Sequence, residues 1–158
     1  AAIPNDPRFA QQWHLGAGKG INAIAAWDQT TGDDELVVAV IDTGVDYLHA
    51  DLTANIWQNP GEIAGDGIDN DNNGYIDDVR GINPADDNVD AMDEDGHGTQ
   101  IGSIIAANSN NSVGIAAINW QLQLLPCRFM DVNGEGFVSD AIACLDYVLE
   151  LKQKYLEG

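Results

Sequence analysis

Residues 36–42 read LVVAVID, an unbroken apolar run that ends on an acid. Such a run has the length of a strand rather than a helix. Without polar alternation it fits a strand covered on both faces, as in parallel α/β sheets. Thr43-Gly44 then allows a sharp turn away from the strand end. Before the run, GINAIAAWD (20–28) has helical spacing, and residues 4–15 read as an extended arm. After it, HGTQIGSIIAANS (97–109) is a helix with small residues on one side, and VGIAAIN (113–119) and LQLLPCRFM (122–130) are strand-like. The closing segment 134–158 is a turn and a helix, with Ser139 or Asp140 as N-cap and Lys152 and Lys154 suited to its C-terminal end. Strand, helix, strand, helix in that order predicts an α/β fold, a parallel sheet with crossover helices.

Residues 59–95 break the pattern. They hold 12 of the 26 acids, Arg80 is their only base, and they show no apolar periodicity. A loop this long within a compact domain calls for a function. Its segment Asp69-Asn70-Asp71-Asn72-Asn73-Gly74-Tyr75-Ile76-Asp77 alternates oxygen-bearing side chains and then turns at a glycine. That arrangement wraps hard ligands around one point and fits Ca²⁺, which takes six to eight oxygens. The expected ligands are Asp69, Asp71 and Asn73 by side chain and Tyr75 by its carbonyl. Asp66, Asp77 or Asp78 completes the shell, because Arg80 stands where an EF-hand has its bidentate Glu.

The whole-chain net charge of −20 points the same way. It excludes nucleic acid and anionic membrane surfaces as partners, and leaves cations and basic peptides. No apolar run approaches the length of a membrane span. Cys127 and Cys144, 17 residues apart, are too few for a disulfide framework. A single bridge between strand and helix and two buried thiols are both compatible with their positions.

Two short strings carry chemistry. Asp42-Thr43-Gly44 sets an acid at a strand end, and Gly96-His97-Gly98-Thr99 sets a histidine at a helix start. An acid that orients an imidazole is two thirds of an Asp-His-Ser relay. The helix N-terminus lowers the imidazole's proton affinity and Asp42 raises it, leaving a base that works near neutral pH. Of the serines, Ser103, Ser109, Ser112 and Ser139, none has a Gly-x-Ser-x-Gly setting. His49 and His14 read as structural.

In this order and context, IDTG (41–44) and HGT (97–99) resemble the subtilisin-like serine peptidases. The resemblance runs on through NNSVGIAAIN (110–119) and the strand-turn-helix at 124–148, and the opening NDPRFAQQWHL is similar too. It implies that residues 1–158 are the N-terminal part of one catalytic domain, a parallel sheet with helices on both faces, incomplete in this chain and with the acidic loop inserted at about 59–95. It implies a secreted endopeptidase in which Asp42 and His97 serve a serine beyond Gly158, with a companion segment carrying that serine. The tail LKQKYLEG would be an exposed nicking site. A second Ca²⁺ site follows from the same resemblance: Asp6, Asp51 and Asn111 by side chain, and Ser109, Val113 and Ile115 by carbonyl. Gly134-Glu135-Gly136 matches the segment that pairs with a substrate strand, and Met130 the wall between two substrate pockets. A departure follows HGT, where Gln100-Ile101-Gly102-Ser103 replaces the family's usual His-Val-Ala-Gly. The alternative reading is a non-catalytic calcium-binding or interaction fragment.

Overall fold

The computed structural model describes residues 2–156. Its regular elements are α1 (Ala23–Trp27), β1 (Gly32–Asp42), α2 (His97–Ala106), β2 (Gln121–Arg128) and α3 (Val138–Leu151), with short 3-10 turns between them and a π-helical turn, Lys152–Leu156, after α3. β1 and β2 pair in a parallel two-stranded sheet. On β2, Leu124 also bridges Ile56 and Cys127 bridges Ile82, both in parallel. The expected α/β fold is present. The last two residues of the tail read as a nicking site, 157–158, lie outside the described residues.

The chain divides into two compact units, each assembled from separate stretches. One comprises Ala1–Val38, Tyr47–Ile56 and Gln100–Leu124. Its core is Leu15, Ala23, Trp27 and Ala116, with Phe9 and Trp120 packed against it. The ring centroids of Trp27 and Trp120 lie 5.1 Å apart. The N-terminal arm is not wholly extended: it folds into 3-10 turns at Phe9–Gln11 and Trp13–Leu15.

The other unit comprises Ala39–Asp46, Trp57–Thr99 and Leu125–Gly158. It holds the last four residues of each strand, the whole acidic loop and α3. Cys127 and Cys144 are joined in a disulfide that ties β2 to α3, with 5.8 Å between their Cα atoms. Asp78, fully buried, accepts hydrogen bonds from Tyr147 Oη (2.6 Å), Asn73 Nδ2 (2.9 Å) and Asn59 Nδ2. α3 is thereby pinned to the loop as well as to the strand.

Three further local expectations differ from the structure. Residues 113–119 are irregular, with bends at 113–114 and 118, and form no strand. Their amides are satisfied by side chains instead of a ladder: Ile115 N–H by Asp51, Ala116 N–H by Gln12 and Ala117 N–H by Ser109. The N-cap of α3 is Phe137, which offers no side-chain acceptor; Ser139 and Asp140 lie inside the first turn, where the Ser139 hydroxyl donates to Asp140. β1 is less covered than its composition predicts. Val40 is its buried position, whereas Leu36 is 52% exposed. β2 is the one strand paired with β1 among the described residues, so the other edge of β1 has no such cover.

Candidate active site

Asp42 stands at the last residue of β1 and His97 at the first residue of α2. His97 Nδ1 and Asp42 Oδ1 are 2.7 Å apart, a length typical of a charge-assisted hydrogen bond. The same Asp42 oxygen accepts the Thr43 amide at 2.7 Å. With Nδ1 held by Asp42, Nε2 is the nitrogen left to exchange a proton. The His97 side chain is 60% exposed and that of Asp42 only 14%, so the orienting acid is shielded while the base is open.

Two glycines make this approach possible. Gly98 lies so close to Gly44 O and to Asp42 Cβ that a side chain there would collide with backbone. Gly44 has φ +107°, a region that favours glycine, and packs against the backbone of Ala91 and Asp93. Glycine is thus required at Gly98 by space, and at Gly44 by both space and backbone conformation.

The hydrogen bond that Asp42 accepts, and the Asp42 charge, raise the His97 imidazole above its ordinary value, with Asp95 and Asp93 adding to the effect. The balance expected from the helix terminus therefore resolves upward.

The 131–135 segment is a tight turn. Met130 and Gly136 form an antiparallel bridge, and Asp131 N–H donates to Glu135 O at 2.8 Å. The Asp131 carboxylate accepts the amides of Asn133 and Glu135, which hold it below the usual carboxylate range. Gly134, Glu135 and Gly136 are exposed. Beside them lies an open cavity of about 470 Å³ whose lining includes Asp86, Asp131, Glu135 and Asp140.

The residues expected around the arm cation come together within one unit. Asp6 and Asp51 are buried. Asp6 accepts the amides of Asn110 and Asn111; Asp51 accepts Ile115 N–H and Asn111 Nδ2. Asn111 Oδ1 accepts Val113 N–H, and Ser109 Oγ lies between Ala107 O and Ala117 N. Gly114 presses against the Asp51 carboxylate where any side chain would clash. Buried carboxylates with amide and backbone oxygens are a hard-donor set and fit Ca²⁺.

In the acidic loop, carboxylate oxygens of Glu62, Asp69 and Asp71 converge to within 4.8 Å of one another. Glu62 escaped sequence reasoning because it precedes the D-x-D run by seven residues. Its Oε1 accepts the amides of Asn70 and Asp71, and its Oε2 that of Asp77. Asp69 and Asp71 both accept Asn73 N–H, and Asn73 Oδ1 accepts Tyr75 N–H. Asp77 instead caps the amides of Gly65 and Gly67, while Asp66 holds Ile68 N–H and Asn70 Nδ2. Burial works against the Asp71 charge, but bonds from Tyr155 and Asn59 and the nearby Lys154 ammonium outweigh it and hold the carboxyl below its ordinary value. For Asp78 burial prevails and the carboxyl is raised.

A strand-end aspartate is thus bonded to a helix-start histidine, each followed within two residues by a close-packed glycine. The subtilase family model matches residues 33–154, and the chain belongs to that family. Subtilisin-like protease 1 of Plasmodium berghei is 34% identical over 155 residues, covering 98% of this chain and 26% of that protein. A halolysin-like extracellular serine protease of Natrialba magadii is 33% identical over 138 residues, covering 87% of this chain and 22% of its own. Among solved structures, a protease from Pseudoalteromonas arctica superposes with a TM-score of 0.70 at 30% identity, covering 91% of this chain and 43% of its own. The chain thus spans about a quarter of the length of the curated relatives it matches.

Proposed function

We propose that this chain supplies the acid and the base of a serine endopeptidase. The observation that carries the reading is the 2.7 Å bond between Asp42 and His97 Nδ1, with the acid shielded and the base open. In that role His97 Nε2 takes the proton of a serine hydroxyl as it attacks a peptide carbonyl and returns it to the leaving amine. Asp42 keeps the imidazole in the required tautomer and stabilises its charged form. The serine belongs to a part of the protein outside these residues, for Ser103, Ser109, Ser112 and Ser139 lack the setting of a nucleophile. Residues 1–158 are read as the N-terminal part of one catalytic domain.

Gly134-Glu135-Gly136 would lie alongside the substrate backbone, with Met130 between two side-chain pockets. Asp86, Asp131, Glu135 and Asp140 around the neighbouring cavity favour a basic side chain upstream of the cut. Ca²⁺ would be held by Asp6, Asp51, Asn111 and the carbonyls of Ser109, Val113 and Ile115, and by Glu62, Asp69, Asp71 and Asn73 in the acidic loop. At both places the ion would supply structural cross-linking, not chemistry. Export from the cell agrees with the extracellular relative and with the acidic surface.

The test is a fluorophosphonate probe, read by denaturing intact mass, on the full-length protein that contains this chain. Labelling that His97→Ala abolishes is the expected result. A protein that takes no label and cleaves no peptide would refute the peptidase reading and leave a calcium-binding fragment.

A further inference from the structure

Asp93 lies four residues before His97 and belongs to neither motif. Its carboxylate nevertheless touches the segments that carry both the acid and the base. Oδ1 accepts Thr43 Oγ1 (2.9 Å) and the amides of Asp95 (3.1 Å) and Gly96 (2.8 Å). Oδ2 accepts the amide of Thr99 (2.8 Å) and its hydroxyl (2.5 Å). Thr43 follows Asp42 and Thr99 lies two past His97. The circuit closes through Gly98, whose amide donates to Thr43 Oγ1 at 2.9 Å. Burial disfavours the Asp93 charge, yet these donors together hold the carboxyl below its ordinary range.

We propose that Asp93 is a positioning residue for the Asp42–His97 pair, clamping the strand end to the helix start through Thr43 and Thr99. The inference rests on the peptidase reading above. Sequence separates the two clamped segments by more than fifty residues, and the clamp sets the distance across which the imidazole is oriented.

The geometry demands a carboxylate. All five contacts are donors, divided between two oxygens, so an amide would turn an NH₂ group against either Thr43 or Thr99. The segment bearing Asp93 is itself anchored. Buried Arg128 donates to Met92 O (3.0 Å), Met130 O (3.2 Å) and Glu94 Oε2 (2.9 Å), which fixes the flanking residues to the end of β2. Asp93 therefore has little freedom to follow a displaced partner.

The test compares Asp93→Asn and Thr43→Val, singly and together, with wild type in the full-length protein. Thr43→Val keeps the shape of a buried side chain and removes the hydroxyl that joins Asp93 to the Gly98 amide, so it carries the test should Asp93→Asn fail to fold. Loss of the clamp lowers kcat by about tenfold to a hundredfold, the scale of a sub-ångström to ångström misplacement. KM stays within about twofold, because nothing that binds substrate has changed. The double variant loses no more than the worse single one. In the same samples the His97 imidazole is titrated by NMR, and its midpoint falls in Thr43→Val, which removes no charge, as it does in Asp93→Asn, which also removes the nearby charge of Asp93. Additive losses, a rise in KM with kcat intact, or an unmoved imidazole midpoint would overturn the proposal. The titration needs no turnover. A wild-type protein without hydrolytic activity would refute the peptidase reading alone, and the midpoint would still decide the role of Asp93.

Discussion

At the scale of single residues, the Asp42–His97 bond fixes a sign. Asp42 raises the imidazole, so the neutral form that acts as base appears only above that raised value, and kcat/KM climbs with pH through it. Asp42→Asn should shift the midpoint down toward the ordinary imidazole value and lower kcat on the order of 10³- to 10⁴-fold. A pH–rate profile in parallel with imidazole NMR checks both. The stabilising contribution runs the other way. It is complete below the unfolded imidazole value and disappears as pH rises through the folded one. Sequence made this pair legible because an acid ending an apolar run and a histidine between glycines are rare local patterns. It concealed Asp93, which reads as one more acid in the run 93–95, and Glu62, which stands outside the D-x-D spacing. Asp93 owes its importance to a contact fifty residues away, and Glu62 to the way the loop folds back on itself.

At the scale of elements, α3 begins on a residue that cannot cap it. Phe137 has the extended backbone of an N-cap, φ −91° and ψ 146°, and is 77% exposed. Phe137→Ser should supply the missing acceptor and raise stability by about 1 kcal/mol, seen as a higher denaturation midpoint with unchanged slope. An unchanged midpoint would show that the first amides of the helix are already well solvated. The existence of α3, α2 and β1 was legible because periodicity and run length reflect which face meets the core. The cap was not, since Ser139 and Asp140 are better capping residues than Phe137 and only tertiary packing sets where the first turn starts. The irregular segment 113–119 was misread for a related reason. Val113, Ile115 and Ala117 alternate as a strand would, but their neighbourhood supplies side-chain acceptors from Asp51, Gln12 and Ser109 in place of a neighbouring strand.

At the scale of the molecule, 26 acids against 6 bases leave a surface that repels itself. Bound cations relieve that repulsion where it is densest, around Glu62, Asp69 and Asp71. Chelation of Ca²⁺ should therefore lower Tm. An ion present at a hundred times its Kd contributes about 2.7 kcal/mol that chelation removes. Asp51→Asn and Asp69→Asn should each abolish part of the shift, one for each unit, and a Tm indifferent to chelator would rule out both sites. The apolar side chains of Val138, Ile142, Leu145 and Leu149, each more than half exposed along α3, belong to the same scale. They form one stripe of the helix, opposite in character to its buried Cys144, Tyr147 and Leu151.

The interleaving of the two units bears on how the chain is made. The polypeptide passes from one unit to the other between 38 and 39, 46 and 47, 56 and 57, 99 and 100, and 124 and 125. Neither unit can be finished while the other waits on the ribosome. When residue 99 has emerged, Asp42 and His97 are both available, yet Asp78 still lacks Tyr147 and β1 still lacks β2. The acidic loop is synthesised long before the helix that pins it, and Cys127 stays unpaired until Cys144 arrives 17 residues later. Order among these residues therefore waits on α3. A nascent chain halted before α3 carries Asp42 and His97 without the helix and disulfide that tie down the unit around them.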